Sequence, residues 1–81
     1  SLRVSIGLGE RQTILARGGT AIIEIKENMF NIIEIYSNDG FEMYEVTSSP
    51  EKLQFHFIGR DGQIPSWILC EINLEKKCDF D

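Results

Sequence analysis

Apolar and polar residues alternate along most of the chain with a period of two. Residues 52–58 place Leu53, Phe55 and Phe57 on one face and polar side chains between them. Successive side chains of a β-strand point to opposite faces, so this pattern is typical of a strand with one buried face. The same alternation recurs in six or seven short segments. The pattern therefore predicts an all-β domain.

Turn residues separate these segments at intervals of about ten residues, a spacing typical of small all-β folds. The predicted turns are Gly18-Gly19, Glu27-Asn28, Asn38-Asp39-Gly40, Ser48-Ser49-Pro50 and Gly59-Arg60-Asp61-Gly62. Such short connections join neighbouring antiparallel strands. We expect a single small antiparallel sandwich, roll or barrel of six to seven strands, formed by residues 1–81.

The C-terminal part of the chain has two interpretations. Ile68, Cys70 and Ile72 alternate with other residues, which favours a strand. Ser66 is also a suitable N-cap for a helix over residues 67–77, which remains the alternative. Residues 76–81 are predicted to form a frayed polar tail. The chain has no initiator Met, so we expect it to be a piece of a larger, eukaryotic protein.

Residues 29–37 carry apolar side chains on both faces of the predicted strand. Two residues of one face belong to the predicted core, which comprises Ile33, Ile35, Phe55 and Phe57. The opposite face carries Phe30, Ile32 and Tyr36. A strand that is apolar on both faces is covered by a second layer or offers a surface to a partner.

The charge of the chain is uneven. Thirteen acidic residues outnumber eight Lys and Arg, and residues 27–51 contain six acids and no base. A nucleic-acid-binding domain usually carries a basic patch, so we expect neither a nucleic-acid partner nor an anionic membrane. The acidic stretch is either a solvated face or a docking surface for a basic partner.

Residues that could perform catalysis are sparse. His56 is the only histidine, and neither serine nor thiol neighbours suggest a nucleophile for it. Gly7-Leu8-Gly9 matches no phosphate-binding pattern. We therefore expect no enzymatic activity, no metal and no cofactor.

The two cysteines, Cys70 and Cys78, are predicted to be free thiols, with a disulfide as the less favoured alternative. Cys70 lies in an apolar run and Cys78 in the charged tail. Free thiols are typical of a reducing compartment. This interpretation predicts an intracellular protein, either cytoplasmic or nuclear.

One hairpin-like stretch has a family resemblance. Residues 35–46, with Asn38-Asp39-Gly40 at their centre, resemble the strand, turn and strand of polo boxes, and Leu53-Gln54-Phe55 followed by Gly59-Arg60-Asp61-Gly62 is similar to the same family. The resemblance implies a six-stranded antiparallel sheet with a packed helix that binds peptides or dimerises. No lysine closely follows His56 to complete the histidine and lysine pair of that family, so no functional residue is carried over.

The most favoured function is a non-enzymatic interaction module. It would bind a protein segment, including a basic one, or a second copy of itself, through an edge strand and an apolar groove. The candidate binding residues are Phe30, Ile32, Glu34, Tyr36, Tyr44 and Trp67. Tyr36 and Tyr44 are expected to pair across a hairpin. The alternatives are a polo-box-like peptide-binding or dimerisation domain, a small-ligand-binding β-barrel, and a structural subdomain.

Overall fold

The structure, a computed structural model, covers residues 1–81 and contains eight β-strands and no helix. The strands are β1 (Leu2–Ser5), β2 (Gln12–Leu15), β3 (Gly19–Lys26), β4 (Met29–Ser37), β5 (Phe41–Ser49), β6 (Lys52–Gly59), β7 (Ser66–Ile72) and β8 (Lys76–Phe80). The predicted all-β antiparallel fold is confirmed, with at least one strand more than the alternation indicated.

The strands form two antiparallel sheets that face each other as a sandwich. The larger sheet has the order β1-β8-β7-β6-β5, and the smaller has the order β2-β3-β4. Most strands pair with the next strand along the chain. The exceptions are β1 and β2, and β4 and β5, where consecutive strands belong to different sheets. The sandwich therefore has two seams, and the pairing of β1 with β8 brings the two ends of the chain together.

The core lies between the sheets and is built from the inward positions of the alternating pattern. Its buried apolar members include Ile14, Ile23, Ile25, Leu53, Phe55, Phe57 and Ile68. The predictions for Phe55 and Phe57 are confirmed. Gly19 allows the two sheets to approach closely at this point, since a Cβ atom there would overlap the ring of Phe57.

The predicted facing of β4 is wrong because the strand contains a β-bulge. Ile22 of β3 pairs with Glu34, but the next residue, Ile23, pairs with Ile32. Ile33 is the extra residue, and it is 37% exposed. Because of this extra residue, Ile32 before the bulge and Ile35 after it point to the same inner face, and both pack against the core. Ile35 is partly buried, as predicted, and Ile33 is not a core residue.

The C-terminal region corrects two predictions and settles one alternative. Residues 66–72 form a strand and not a helix. The predicted polar tail is instead β8, which lies between β1 and β7. Cys70 and Cys78 pair directly across β7 and β8, both are buried, and a disulfide joins them. The prediction of free thiols is therefore wrong, because the strand register places the two side chains face to face.

The structure holds no helix long and apolar enough to cross a membrane.

Candidate functional site

The boundary between β4 and β5 is closed at its two ends and unpaired in between. The backbone N–H of Phe30 donates to the carbonyl of Pro50 at 2.8 Å, and that of Phe41 donates to the carbonyl of Asn38 at 3.1 Å. No strand pairing joins β4 to β5 between these bonds. We call this region the β4/β5 seam (residues 31–37 and 42–49). Each side of the seam is the edge of a sheet, with backbone groups available to another strand.

The inner lining of the seam is apolar. Met43 pairs with Phe57, and directly paired residues lie on the same face of a sheet. Phe57 is completely buried, whereas Met43 is 38% exposed. From the β4 side, Phe30, Ile32 and Ile35 are partly buried against the core. The hydrophobic core therefore reaches the surface along the seam.

Glu45 places a carboxylate on the same inner side. It pairs with Phe55, a core residue, yet it is exposed. It takes part in no ion pair or side-chain hydrogen bond of the structure. The pairing then shifts at Val46, which is the extra residue of a bulge. A charge on the inner face and a bulge are two devices that protect edge strands from indiscriminate pairing.

The rim of the seam is acidic, and neither β4 nor β5 carries a basic residue. Glu34 is exposed on β4 and Glu42 on β5. All seven ion pairs of the structure involve acids outside residues 27–51. Tyr44 donates a hydrogen bond from its hydroxyl to the Glu42 carboxylate at 3.1 Å. This bond and the charge of Glu42 raise the pKa of Tyr44. The field at the seam therefore favours a positively charged partner.

The six predicted binding residues fall on three different surfaces. Phe30 and Ile32 line the inner side of the seam and are not outward residues, because of the bulge in β4. Glu34 and Tyr36 lie on the outer face of the three-stranded sheet, beside Ile22 and Thr20 of β3. Tyr44 and Trp67 lie on the outer face of the five-stranded sheet.

The expected pairing of Tyr36 with Tyr44 does not occur. Tyr36 pairs with Thr20 and Tyr44 pairs with His56, in different sheets. The Asn38-Asp39-Gly40 turn is present, with Gly40 at a φ of 87°. It connects the two sheets and does not close a hairpin.

An aromatic row crosses the outer face of the five-stranded sheet. Tyr44, His56 and Trp67 occupy successive positions of the register on β5, β6 and β7. The Gln54 side-chain nitrogen lies 3.2 Å from Nε2 of His56. His56 thus has an amide and not a nucleophile as its neighbour. Trp67 is half-buried on this face and is not part of the central core.

Two seam residues, Met43 and Glu45, were not among the sequence candidates. Both occupy alternating positions of β5 that share the inner face, which the residue pattern alone could have shown. Their exposure depends on the separation of β4 from β5, for which the sequence has no local signal. The strongest available signal was the absence of bases around Glu45.

One further depression of about 660 Å³ lies at the end of the sandwich that holds the β3–β4 turn. Its lining includes Leu8, Ile25, Lys26, Glu27 and Lys76. The two lysines and the glutamate give it mixed charge. Neither in this depression nor in the rest of the chain is a group of three or more His, Cys, Asp or Glu side chains placed to hold a metal ion.

Comparison of the chain with protein families, with curated proteins and with solved structures found no match.

Proposed function

We propose that this domain is a non-enzymatic interaction module that binds an extended, basic segment of a partner protein at the β4/β5 seam. The observation that carries the proposal is the seam itself, where the edges of the two sheets are unpaired and Met43, an inner-face residue of β5, is 38% exposed. An extended peptide that adds a strand to a sheet edge gains main-chain hydrogen bonds, and its alternate side chains enter the groove.

The apolar lining supports this proposal. Met43 on one side and Ile32 and Ile35 on the other are exposed or partly buried residues that adjoin the core. Covering them removes apolar surface from water, which is the main favourable contribution to most protein association. Every second side chain of an added strand would point toward these residues.

Charge favours a basic partner over a second copy. The β5 edge carries Glu42 and Glu45 and no base. Pairing of β5 with β5 of another copy would bring four carboxylates to one interface. Like charges at an interface disfavour association, whereas a basic segment gains attraction and a faster encounter.

A second part of the proposal concerns the cellular compartment in which the domain acts. The disulfide removes the basis for an intracellular location, because buried structural disulfides are typical of oxidising compartments. We therefore propose that the partner segment meets this domain in an oxidising compartment. The resemblance of residues 35–46 to polo boxes does not add support, because the structure has no helix and its Asn38-Asp39-Gly40 turn does not close a hairpin.

Binding can be tested with a nine-residue blocked peptide in which Lys and Val alternate. We expect this peptide to bind, and a peptide with the same composition but with all Lys before all Val to bind at least about tenfold more weakly, because it cannot direct apolar side chains to the inner side and basic side chains to the outer side along its whole length. Fluorescence anisotropy with a labelled peptide measures both affinities. A peptide of alternating Glu and Val is expected not to bind.

A matched pair of variants locates the site. Met43→Asn and Ile58→Asn introduce the same uncharged polar group at side chains that are 38% and 40% exposed. Met43 faces the inner side of the seam, whereas Ile58 pairs with Glu42 on the outer face of the sheet. We expect only Met43→Asn to weaken binding strongly, because it removes the apolar side chain from the inner side of the seam, and folding of both variants is checked by circular dichroism. Equal loss in both variants, or no binding of the alternating peptide to the unmodified domain, would overturn the proposal.

A further inference from the structure

We infer that the segment bound at the β4/β5 seam pairs antiparallel with β5 and carries the pattern basic, any residue, apolar, basic from its N-terminus to its C-terminus. This inference rests on the proposed function and adds the direction of the bound strand and its sequence requirement. It follows from the register of β5 and from the charges along its free edge.

The β5 edge is the better template of the two. Residues 41–45 run without interruption before the bulge at Val46. On the other side, the bulge at Ile33 divides β4 near its middle and leaves only residues 34–37 after it. A bulge interrupts a ladder, so an added strand gains more consecutive bonds on β5. Antiparallel ladders are slightly more stable per residue than parallel ones, which sets the direction.

The inner side of the ladder fixes two positions of the bound segment. A residue opposite Met43 shares its face and therefore points to the inner side of the sandwich, to which Ile35 of β4 also points. This position requires an apolar side chain. A residue opposite Glu45 lies beside a carboxylate that forms no ion pair, so this position favours Lys or Arg. A long basic side chain can also cover apolar surface with its methylene groups and hold its charge at the rim.

The outer side fixes one further position. A residue opposite Glu42 faces the second carboxylate of the edge that forms no ion pair, and a basic residue is again favoured there. Tyr44 lies between these positions and directs its hydroxyl to Glu42. The residue opposite Tyr44 is exposed on the outer face and is left free.

The order of these positions reports the direction of binding. An antiparallel strand meets Glu45 first, then Tyr44, Met43 and Glu42. Its sequence is therefore basic, any residue, apolar, basic. A parallel strand meets the same residues in reverse and requires basic, apolar, any residue, basic.

Two peptides of identical composition test the order. The first contains Lys-Thr-Val-Lys between serine residues, and the second contains Lys-Val-Thr-Lys in the same frame. We expect the intact domain to bind the first peptide at least about fivefold more tightly than the second. A ratio of this size is expected when a single cross-strand contact changes. Equal binding, or tighter binding of the second peptide, overturns this inference and leaves the proposed function standing. Failure of both peptides and of the alternating Lys and Val peptide overturns the proposed function as well.

A charge exchange tests the position opposite Glu45. Glu45→Lys is expected to weaken the Lys-Thr-Val-Lys peptide about fivefold and to strengthen a Glu-Thr-Val-Lys peptide by a similar factor. Glu51→Lys changes the net charge equally at the β5–β6 turn, outside the predicted contacts. It is expected to change both affinities by less than about twofold. If Glu51→Lys acts as strongly as Glu45→Lys, the attraction is long-range and the predicted pairing with Glu45 is wrong.

Discussion

Cys70 of β7 lies directly opposite Cys78 of β8, and a disulfide joins the two buried side chains. The bond ties the last strand of the chain to the sheet. Because β8 also pairs with β1, the same link holds the N-terminal strand in place. In a domain of 81 residues, whose core is small, such a covalent link carries a sizeable share of the stability.

Reduction of this disulfide is expected to destabilise the domain by about 2–3 kcal/mol, because the closed loop restricts the unfolded chain. For a domain of this size, that loss lowers the midpoint of thermal unfolding by roughly 10–20 °C. Oxidised and reduced samples of the same protein have identical side chains, so their melting curves isolate the bond. Mass spectrometry after alkylation without reduction should show both cysteines unmodified. Modification of both under these conditions would contradict the disulfide.

Gly19 and Phe57 are expected to be coupled. Gly19→Ala should destabilise the domain by about 1–3 kcal/mol, since the added Cβ overlaps the buried Phe57 ring. Phe57→Leu creates space at the same place and costs stability on its own. The double variant should therefore be more stable than the sum of the two losses predicts, which a double-mutant cycle by chemical denaturation measures. Strict additivity would mean that Gly19 does not contact the ring.

The alternation of residues was sufficient to predict β6 of the larger sheet, whereas β8 of the same sheet was predicted to be a polar tail. In residues 52–58 every second side chain is apolar, and the structure buries Leu53, Phe55 and Phe57 as that pattern requires. The same rule failed in β4, where one bulged residue reversed the faces of Phe30 and Ile32. The sequence around Ile33 has no glycine, and its polar neighbours Asn31 and Glu34 do not by themselves mark a bulge. The shift follows from packing against β3, which local sequence does not encode.

The bulge is expected to separate the energetic roles of two adjacent isoleucines. Ile32→Ala should cost about 1–3 kcal/mol because Ile32 packs against the core, although it is only partly buried. Ile33→Ala should cost less than about 0.5 kcal/mol, as is usual for exposed positions. The two variants remove the same atoms from neighbouring positions, so each is the control for the other. A larger loss in Ile33→Ala than in Ile32→Ala would contradict the bulge. It would support the uninterrupted alternation, which places Ile33 in the core and Ile32 on the opposite face.

The β4/β5 seam was even less accessible to sequence reasoning. The Asn38-Asp39-Gly40 turn is chemically suited to a hairpin, and its local geometry is as expected. Whether the strands on either side of it pair or diverge depends on how two sheets pack around Phe57 and its neighbours. The acidic segment was visible in the sequence, whereas the exposure of Met43 on an unpaired sheet edge became visible only in the fold.

Glu24 is the charged group whose environment makes stability depend on pH. Its side chain is almost fully covered, at 6% exposure, on the outer face of β3. The Asn31 amide donates to its carboxylate at 2.8 Å, and Lys26 lies 3.5 Å from the same oxygen. The hydrogen bond from Asn31, followed by the charges of Lys26 and Arg11, lowers the pKa of Glu24 against the opposing effect of burial.

A lowered pKa in the folded state means that the ionised form of Glu24 favours folding. This contribution is present above the ordinary glutamate pKa, about 4.5, and is lost as the pH falls below it toward the pKa of the folded state. Glu24→Gln should therefore be less stable than the unmodified domain at pH 7, and the difference between their melting temperatures should shrink between pH 5 and lower values. Glu34→Gln removes an exposed carboxylate of the same sheet that forms no ion pair, and it is expected to change stability by less than about 0.5 kcal/mol throughout. The contribution of Asp79, whose pKa the hydrogen bond from Arg3 lowers, is common to all three proteins and cancels in the comparison. A difference for Glu24→Gln that stays constant from pH 7 to pH 3 would show that Asn31 and Lys26 do not stabilise the carboxylate.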